Sequence, residues 1–247
     1  MSVIVFFRNI VVGVICCVFL NLSFPQITLA GSDYLIYEDS FLSINENVWK
    51  VEKASPGDVV IDNGILLQKN GGKNFPYIHS IVPLIPGTGN YKVQFDFEFP
   101  TTSNWGVGLG LGYDIPSYPI SNQDYTSNDS GYMRFQLWQS ANDNYLIQTR
   151  YCQNDSLCSS SRTTLHSQPY SSDSHQITIE FIDDRFILIN DGVEVSNTAL
   201  TNTTQRPKYI WLGNPQFVQN DLIWTSLRVK SVKIYSDSLP ITPTIII

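Results

Sequence analysis

The chain has 247 residues, 15 lysines and arginines against 22 aspartates and glutamates, a net charge of −7, and 13% aromatic side chains. That length suits one large β-domain. The acidic balance, with no basic patch, argues against a nucleic-acid partner.

Residues 1–30 have the pattern of an export signal: Arg8 precedes an apolar run from Ile10 to Leu20, Pro25 breaks it, and Thr28-Leu29-Ala30 is a cleavage site. The expected mature chain begins at Gly31, is secreted or held at the cell surface, and has no membrane span, because Arg8 and Asn9 divide the apolar stretch. Cys16 and Cys17 leave with the signal. Cys152 and Cys158 remain and are expected to close a local disulfide in an oxidising compartment.

Residues 31–236 are expected to form the domain. Tyr34 opens it, and Phe41 and Trp49 are bulky anchors. Asp62-Asn63-Gly64, between two apolar runs in Asp58 to Gln68, is a hairpin signal. Tyr77 to Leu84 predicts a strand whose end is confined by Pro83. Val93, Phe95, Phe97 and Phe99 alternate with Lys92, Gln94, Asp96 and Glu98, which predicts a strand with one buried and one wet face. Next, Val107, Leu109 and Leu111 alternate with Gly106, Gly108, Gly110 and Gly112, leaving one strand face without side chains. Such a face admits either a ligand or large side chains from a neighbouring element, the second being the commoner use of strand glycine.

Residues 115–130 predict a loop that carries Tyr118 and Tyr125. Tyr132 to Gln139 and Tyr145 to Tyr151 predict a hairpin. With Gln136 opposite Gln148, one face gathers Tyr132, Arg134, Gln136, Trp138, Gln148 and Arg150. Ile177 to Ile189 folds about Asp183-Asp184, pairing Phe181 with Phe186 and Ile179 with Leu188, and Asn190-Asp191-Gly192 turns into Val193-Glu194-Val195. Tyr209 to Gly213 and Trp224 to Tyr235 supply the last strands. Residues 237–247, with Pro240 and Pro243, predict a linker or tail.

The class is therefore all-β. The segments DSFLSINENVWKVE, NGILLQ, VQFDFEF, FILINDGVEV and YIWLGN…WTSLRVKSVKIY resemble, in that order, the concanavalin A-like lectin/glucanase superfamily, which includes laminin G-like modules. The resemblance spans residues 34–236 and implies an antiparallel two-sheet jelly-roll sandwich that binds ligands on one sheet face or its rim loops. It also implies calcium as a cofactor, for which the Asn and Asp groups of 122–129 and 142–144 are candidate ligands, although no calcium-loop spacing is present. His79, His166 and His175 stand singly, which disfavours a zinc site.

The superfamily's glucanases carry a Glu-x-Asp-x-Glu or Glu-x-Asp-x-x-Glu strand, and this chain lacks it. Asp96 with Glu98 reads as the wet side of an amphipathic strand, and Asp183 with Asp184 as turn formers. No Gly-x-Ser-x-Gly elbow occurs. Sugars offer hydroxyls to polar groups and C–H faces to rings. The expected site is therefore Tyr132, Arg134, Gln136, Trp138, Gln148 and Arg150, with Trp105 at the rim, beside the glycine strand. The expectation is a carbohydrate-binding module without catalysis, whose partner is a glycan or polysaccharide. The alternatives are a glycoside hydrolase of the same fold and a structural module that binds protein.

Overall fold

The computed structural model describes residues 34–52, 58–68, 76–101, 108–112, 134–140, 146–152, 163–169, 171–199, 206–213 and 226–238; for most of 134–169 it describes the backbone alone. The described residues contain no helix. In chain order the strands are β1 (Tyr34–Asp39), β2 (Trp49–Glu52), β3 (Val59–Ile61), β4 (Ile65–Leu67), β5 (Tyr77–Ser80), β6 (Tyr91–Glu98), β7 (Gly108–Gly112) and β8 (Arg134–Ser140). They continue with β9 (Leu146–Cys152), β10 (Thr163–Pro169), β11 (His175–Ile182), β12 (Arg185–Asn190), β13 (Val193–Ala199), β14 (Tyr209–Gly213) and β15 (Leu227–Ser236).

They form two antiparallel sheets, a jelly-roll sandwich. The eight-stranded sheet runs β13-β12-β11-β6-β15-β4-β3, with β1 also paired to β15; the seven-stranded sheet runs β10-β9-β8-β7-β14-β5-β2. Each sheet turns one set of alternate residues into a shared core. From β6 come Val93, Phe95 and Phe97, followed by Phe99 just beyond it; from β7, Leu109 and Leu111; from β14, Ile210 and Leu212; from β15, Val229, Val232 and Ile234. Tyr91 stacks on Phe181 at 4.7 Å, and Phe181 meets Phe186 edge-on at 5.4 Å. Burying each such ring contributes about 2–3 kcal/mol.

The polar residues of β6 are anchored on the outer face of the eight-stranded sheet. Asp96 accepts from Ser231 Oγ at 2.6 Å and from Gln176 Nε2 at 2.8 Å. Glu98 pairs with Arg228, and with Lys230 at 2.7 Å. These carboxylates are held by structural partners, as the alternation with phenylalanine implies.

Several local expectations hold. Phe181 pairs with Phe186 and Ile179 with Leu188. Asp183 and Asp191 sit in turns at φ 53° and 48°. The Asp62-Asn63-Gly64 turn joins β3 to β4, and at Gly64, φ 111°, a Cβ would lie 2.4 Å from the Val229 carbonyl oxygen. Phe41 and Trp49 are core residues 5.4 Å apart, and the Trp49 indole donates to Asp39 Oδ2 at 2.8 Å.

Two details differ. The strand expected over Tyr77 to Leu84 ends at Ser80, ahead of Pro83. In the β8–β9 hairpin Gln136 lies opposite Arg150, not Gln148, which pairs with Trp138. The slip is two residues, so alternation is preserved while the partners change.

Arg206 ties three segments together. It is 5% exposed and donates to the carbonyls of Gly89 and Asp183, while its guanidinium lies 5.9 Å from the Tyr91 ring.

Candidate functional site

The face of the seven-stranded sheet turned away from the core collects the polar and aromatic residues that alternate with core positions. On β2, Trp49 enters the core and Val51 packs against it, which leaves Lys50 and Glu52 on the other side. On β5, Ile78 is core, and Tyr77 and His79 alternate with it; on β14, Ile210 and Leu212 are core, and Trp211 lies between them. On β7, Leu109 and Leu111 are core, so Gly108, Gly110 and Gly112 line the outer face.

The ladders align these residues in rows across the strands. One row reads Arg150, Gln136, Gly110, Trp211, His79 and Lys50; the next reads Gln148, Trp138, Gly108, Gly213, Tyr77 and Glu52. Four of the expected ligand-binding residues, Gln136, Trp138, Gln148 and Arg150, thus fall in the same two rows as the glycine ribbon. Arg134 pairs with Cys152 at the end of the hairpin. Tyr132, Trp105, Tyr118, Tyr125 and Cys158 lie outside the described residues, so the expected rim and the disulfide partner of Cys152 do too.

The glycine ribbon is not an open trough. Gly108, Gly110 and Gly112 are buried, as are Tyr77, Trp211 at 2% exposure and His79 at 4%. Solvent reaches this face at its β2 edge, where the Lys50 side chain is 57% exposed and that of Glu52 20%.

Residues at that edge, which sequence reasoning passed over, form a connected polar group. Lys50 Nζ lies 2.5 Å from Glu52 Oε1, and His79 Nε2 lies 3.4 Å from the same oxygen. The other ring nitrogen, Nδ1, donates to the Ser80 carbonyl at 3.1 Å, and the ring packs 5.3 Å from that of Tyr77. Burial alone pushes the Glu52 carboxyl pKa up, but hydrogen bonds from Lys50 and His79 outweigh it and hold the group below the usual glutamate range. Glu52 is therefore ionised at neutral pH. The available signal was the alternation within WKVE and YIHS, which puts Lys50, Glu52 and His79 on the faces opposite Trp49 and Ile78.

Among the described residues no group of three or more His, Cys, Asp or Glu is placed to hold a metal ion, and the stretches suggested for calcium, 122–129 and 142–144, lie outside them. His175 instead contacts Asp191 Oδ2 at 2.8 Å, and His166 lies on the edge strand β10. Among the described residues no helix is long and apolar enough to cross a membrane.

No family model matches the chain, and no curated protein does. Solved structures do. The endo-β-1,3-glucanase of Pyrococcus furiosus superposes with a TM-score of 0.61 at 14% identity, covering 82% of this chain and 94% of that one. SCLam, a non-specific endo-β-1,3(4)-glucanase from family GH16, gives 0.60 at 9% identity, with 83% and 91% covered. The catalytic domain of an endo-1,3-β-glucanase (laminarinase) from Thermotoga petrophila gives 0.56 at 10% identity, with 83% and 98% covered.

This finding corrects the expectation of a binding module without catalysis. These three structures, each matched over nine-tenths or more of its length, are glucanases, and the hydrolase alternative fits them better. At these identities the likeness establishes the fold alone: the chain has a two-sheet jelly roll like that of these glucanases.

Proposed function

We propose that the chain is an exported glycoside hydrolase that acts on a polysaccharide of the β-glucan class at the outer face of its seven-stranded sheet. The observation that carries this reading is the architecture shared with endo-glucanases over 82–83% of the chain. Export is supported by Arg8 and the apolar run that follows it.

Hydrolysis of a glycosidic bond requires two carboxyl groups flanking it, about 5–5.5 Å apart for retention of configuration and wider for inversion. With no Glu-x-Asp-x-Glu strand in the sequence, the pair has to be assembled from separate strands or loops. Among the described residues of this face, Glu52 is the one carboxylate, and its depressed pKa makes it an acceptor at neutral pH rather than a proton donor.

The test is release of reducing ends by the purified protein from soluble β-1,3-glucan and from mixed-linkage β-1,3-1,4-glucan. The proposal expects release proportional to protein concentration on at least one of them. No release from either, with the protein folded, rejects it.

A further inference from the structure

We infer that Lys50, Glu52 and His79 form a sugar-hydroxyl subsite at the open end of the same face, a site distinct from whatever carboxyl pair performs the cleavage. The inference rests on the proposed polysaccharide activity and gives that face a second point of contact. Both contacts to Glu52 converge on one oxygen, Oε1, which takes Lys50 Nζ at 2.5 Å and His79 Nε2 at 3.4 Å. Oε2 takes no partner among the described residues. Lys50 spends one N–H on Oε1 and keeps two more on an ammonium that is 57% exposed.

A charged acceptor therefore stands beside a charged donor, the Lys50 ammonium, the arrangement that matches two neighbouring hydroxyls of a sugar. One hydroxyl donates to Oε2, and the other accepts from Nζ. Glu52 is braced on its His79 side. His79 is buried, its Nδ1 is committed to the Ser80 carbonyl, and its ring is braced by Tyr77 at 5.3 Å. His79 is thus a positioning residue for Glu52, which is held in place before any ligand arrives.

The location supports the assignment. Lys50 and Glu52 end the two rows that contain Gly110 and Gly108, and three strand spacings separate β2 from β7, about 14 Å. A linear polysaccharide held at the β2 edge would meet Lys50 and Glu52 where solvent reaches this face, away from the buried glycine ribbon. Charged recognition at the edge therefore acts on the chain's hold and register rather than on the bond broken.

The experiment compares the wild-type protein with Glu52→Gln and Lys50→Met in two measurements: initial rates on soluble β-1,3-glucan, and retardation in native gels containing the same polysaccharide. Thermal melts confirm that each variant is folded. Losing a charged hydrogen bond should raise KM about tenfold in each variant, with kcat largely kept, and should reduce retardation in parallel. His79→Gln, which loosens Glu52 without removing it, should raise KM less than Glu52→Gln does. Unchanged KM and unchanged retardation in folded Glu52→Gln overturn the subsite. A collapse of kcat at constant KM also overturns it, since that places Glu52 at the reacting bond. If the wild-type protein binds the gel polysaccharide but releases no reducing ends, the hydrolase proposal falls while retardation still judges the subsite. If it neither cleaves nor is retarded, both fall.

Discussion

Gly110 lies directly opposite Trp211 in the antiparallel ladder of β7 and β14, on the sheet face turned away from the core, and both residues are buried. Glycine on one strand leaves room beside a large ring on the next, the cross-strand complement that makes a side-chain-free strand compatible with a dense sheet.

Truncating that ring should be expensive. Trp211→Ala is expected to cost about 3–5 kcal/mol in urea unfolding, the range for removing a large buried aromatic. A loss under about 1 kcal/mol would mean that the ring is not packed in solution.

Gly213 ends β14 at φ +97°, where a Cβ would meet the Pro76 carbonyl oxygen at 2.1 Å. Gly192 has a similar φ of +79° but nothing within 4 Å. Gly213→Ala should therefore destabilise by about 2–3 kcal/mol, and Gly192→Ala by only about 1 kcal/mol, the cost of the left-handed backbone alone. Equal losses in a pair of denaturation curves would refute the steric argument.

Glu98 gives the acid limb of stability a definite sign. Burial raises its pKa, but the contacts from Lys230 and Arg228 lower it further, so the folded value lies below the unfolded one. Its contribution is present above the unfolded glutamate pKa of about 4.3 and is lost as pH falls through the folded value. Glu98→Gln should be less stable than wild type at pH 7, with the gap closing in strong acid. A constant gap across that range would rule out the linkage.

Glu180 should behave oppositely. Burial is the main cause of its raised pKa; Lys92, its register partner, lowers it in part, and Glu194 adds to the rise. Lys92 Nζ lies 4.6 Å from the centre of the Tyr235 ring. A raised folded value means stability present below the unfolded pKa and lost as pH rises through the folded one. Glu180→Gln is predicted to stabilise the protein at pH 7 and to give no gain near pH 4, as read by thermal melts at the two values.

Much of the architecture could be read locally, because a period of two assigns faces wherever strong hydrophobes alternate. Val93, Phe95 and Phe97 are core, and the tight Asp183-Asp184 turn fixed the Phe181–Phe186 pairing. Where the turn was longer, parity survived but exact partners did not, and Gln136 found Arg150 instead of Gln148. β10 passed unread, since Thr163-Thr164-Leu165-His166-Ser167-Gln168-Pro169 holds one strong hydrophobe and closes on proline at a sheet edge. The polar group at the β2 edge was hidden for a different reason. Lys50, Glu52 and His79 meet only because β2 pairs with β5, and the row reaches Gly110 only because β14 lies between β5 and β7. That order of strands is a property of the whole sandwich, invisible to any local window.

The central claim is that polysaccharide engages the outer face of the seven-stranded sheet. It is tested most directly by mapping amide chemical shifts on titration with a β-1,3-gluco-oligosaccharide. The account predicts that the largest changes fall on β2, β5, β14 and β7, with Lys50, Glu52 and His79 among them. Changes confined to the opposite sheet, around Asp96, Glu98 and Arg228, would contradict it.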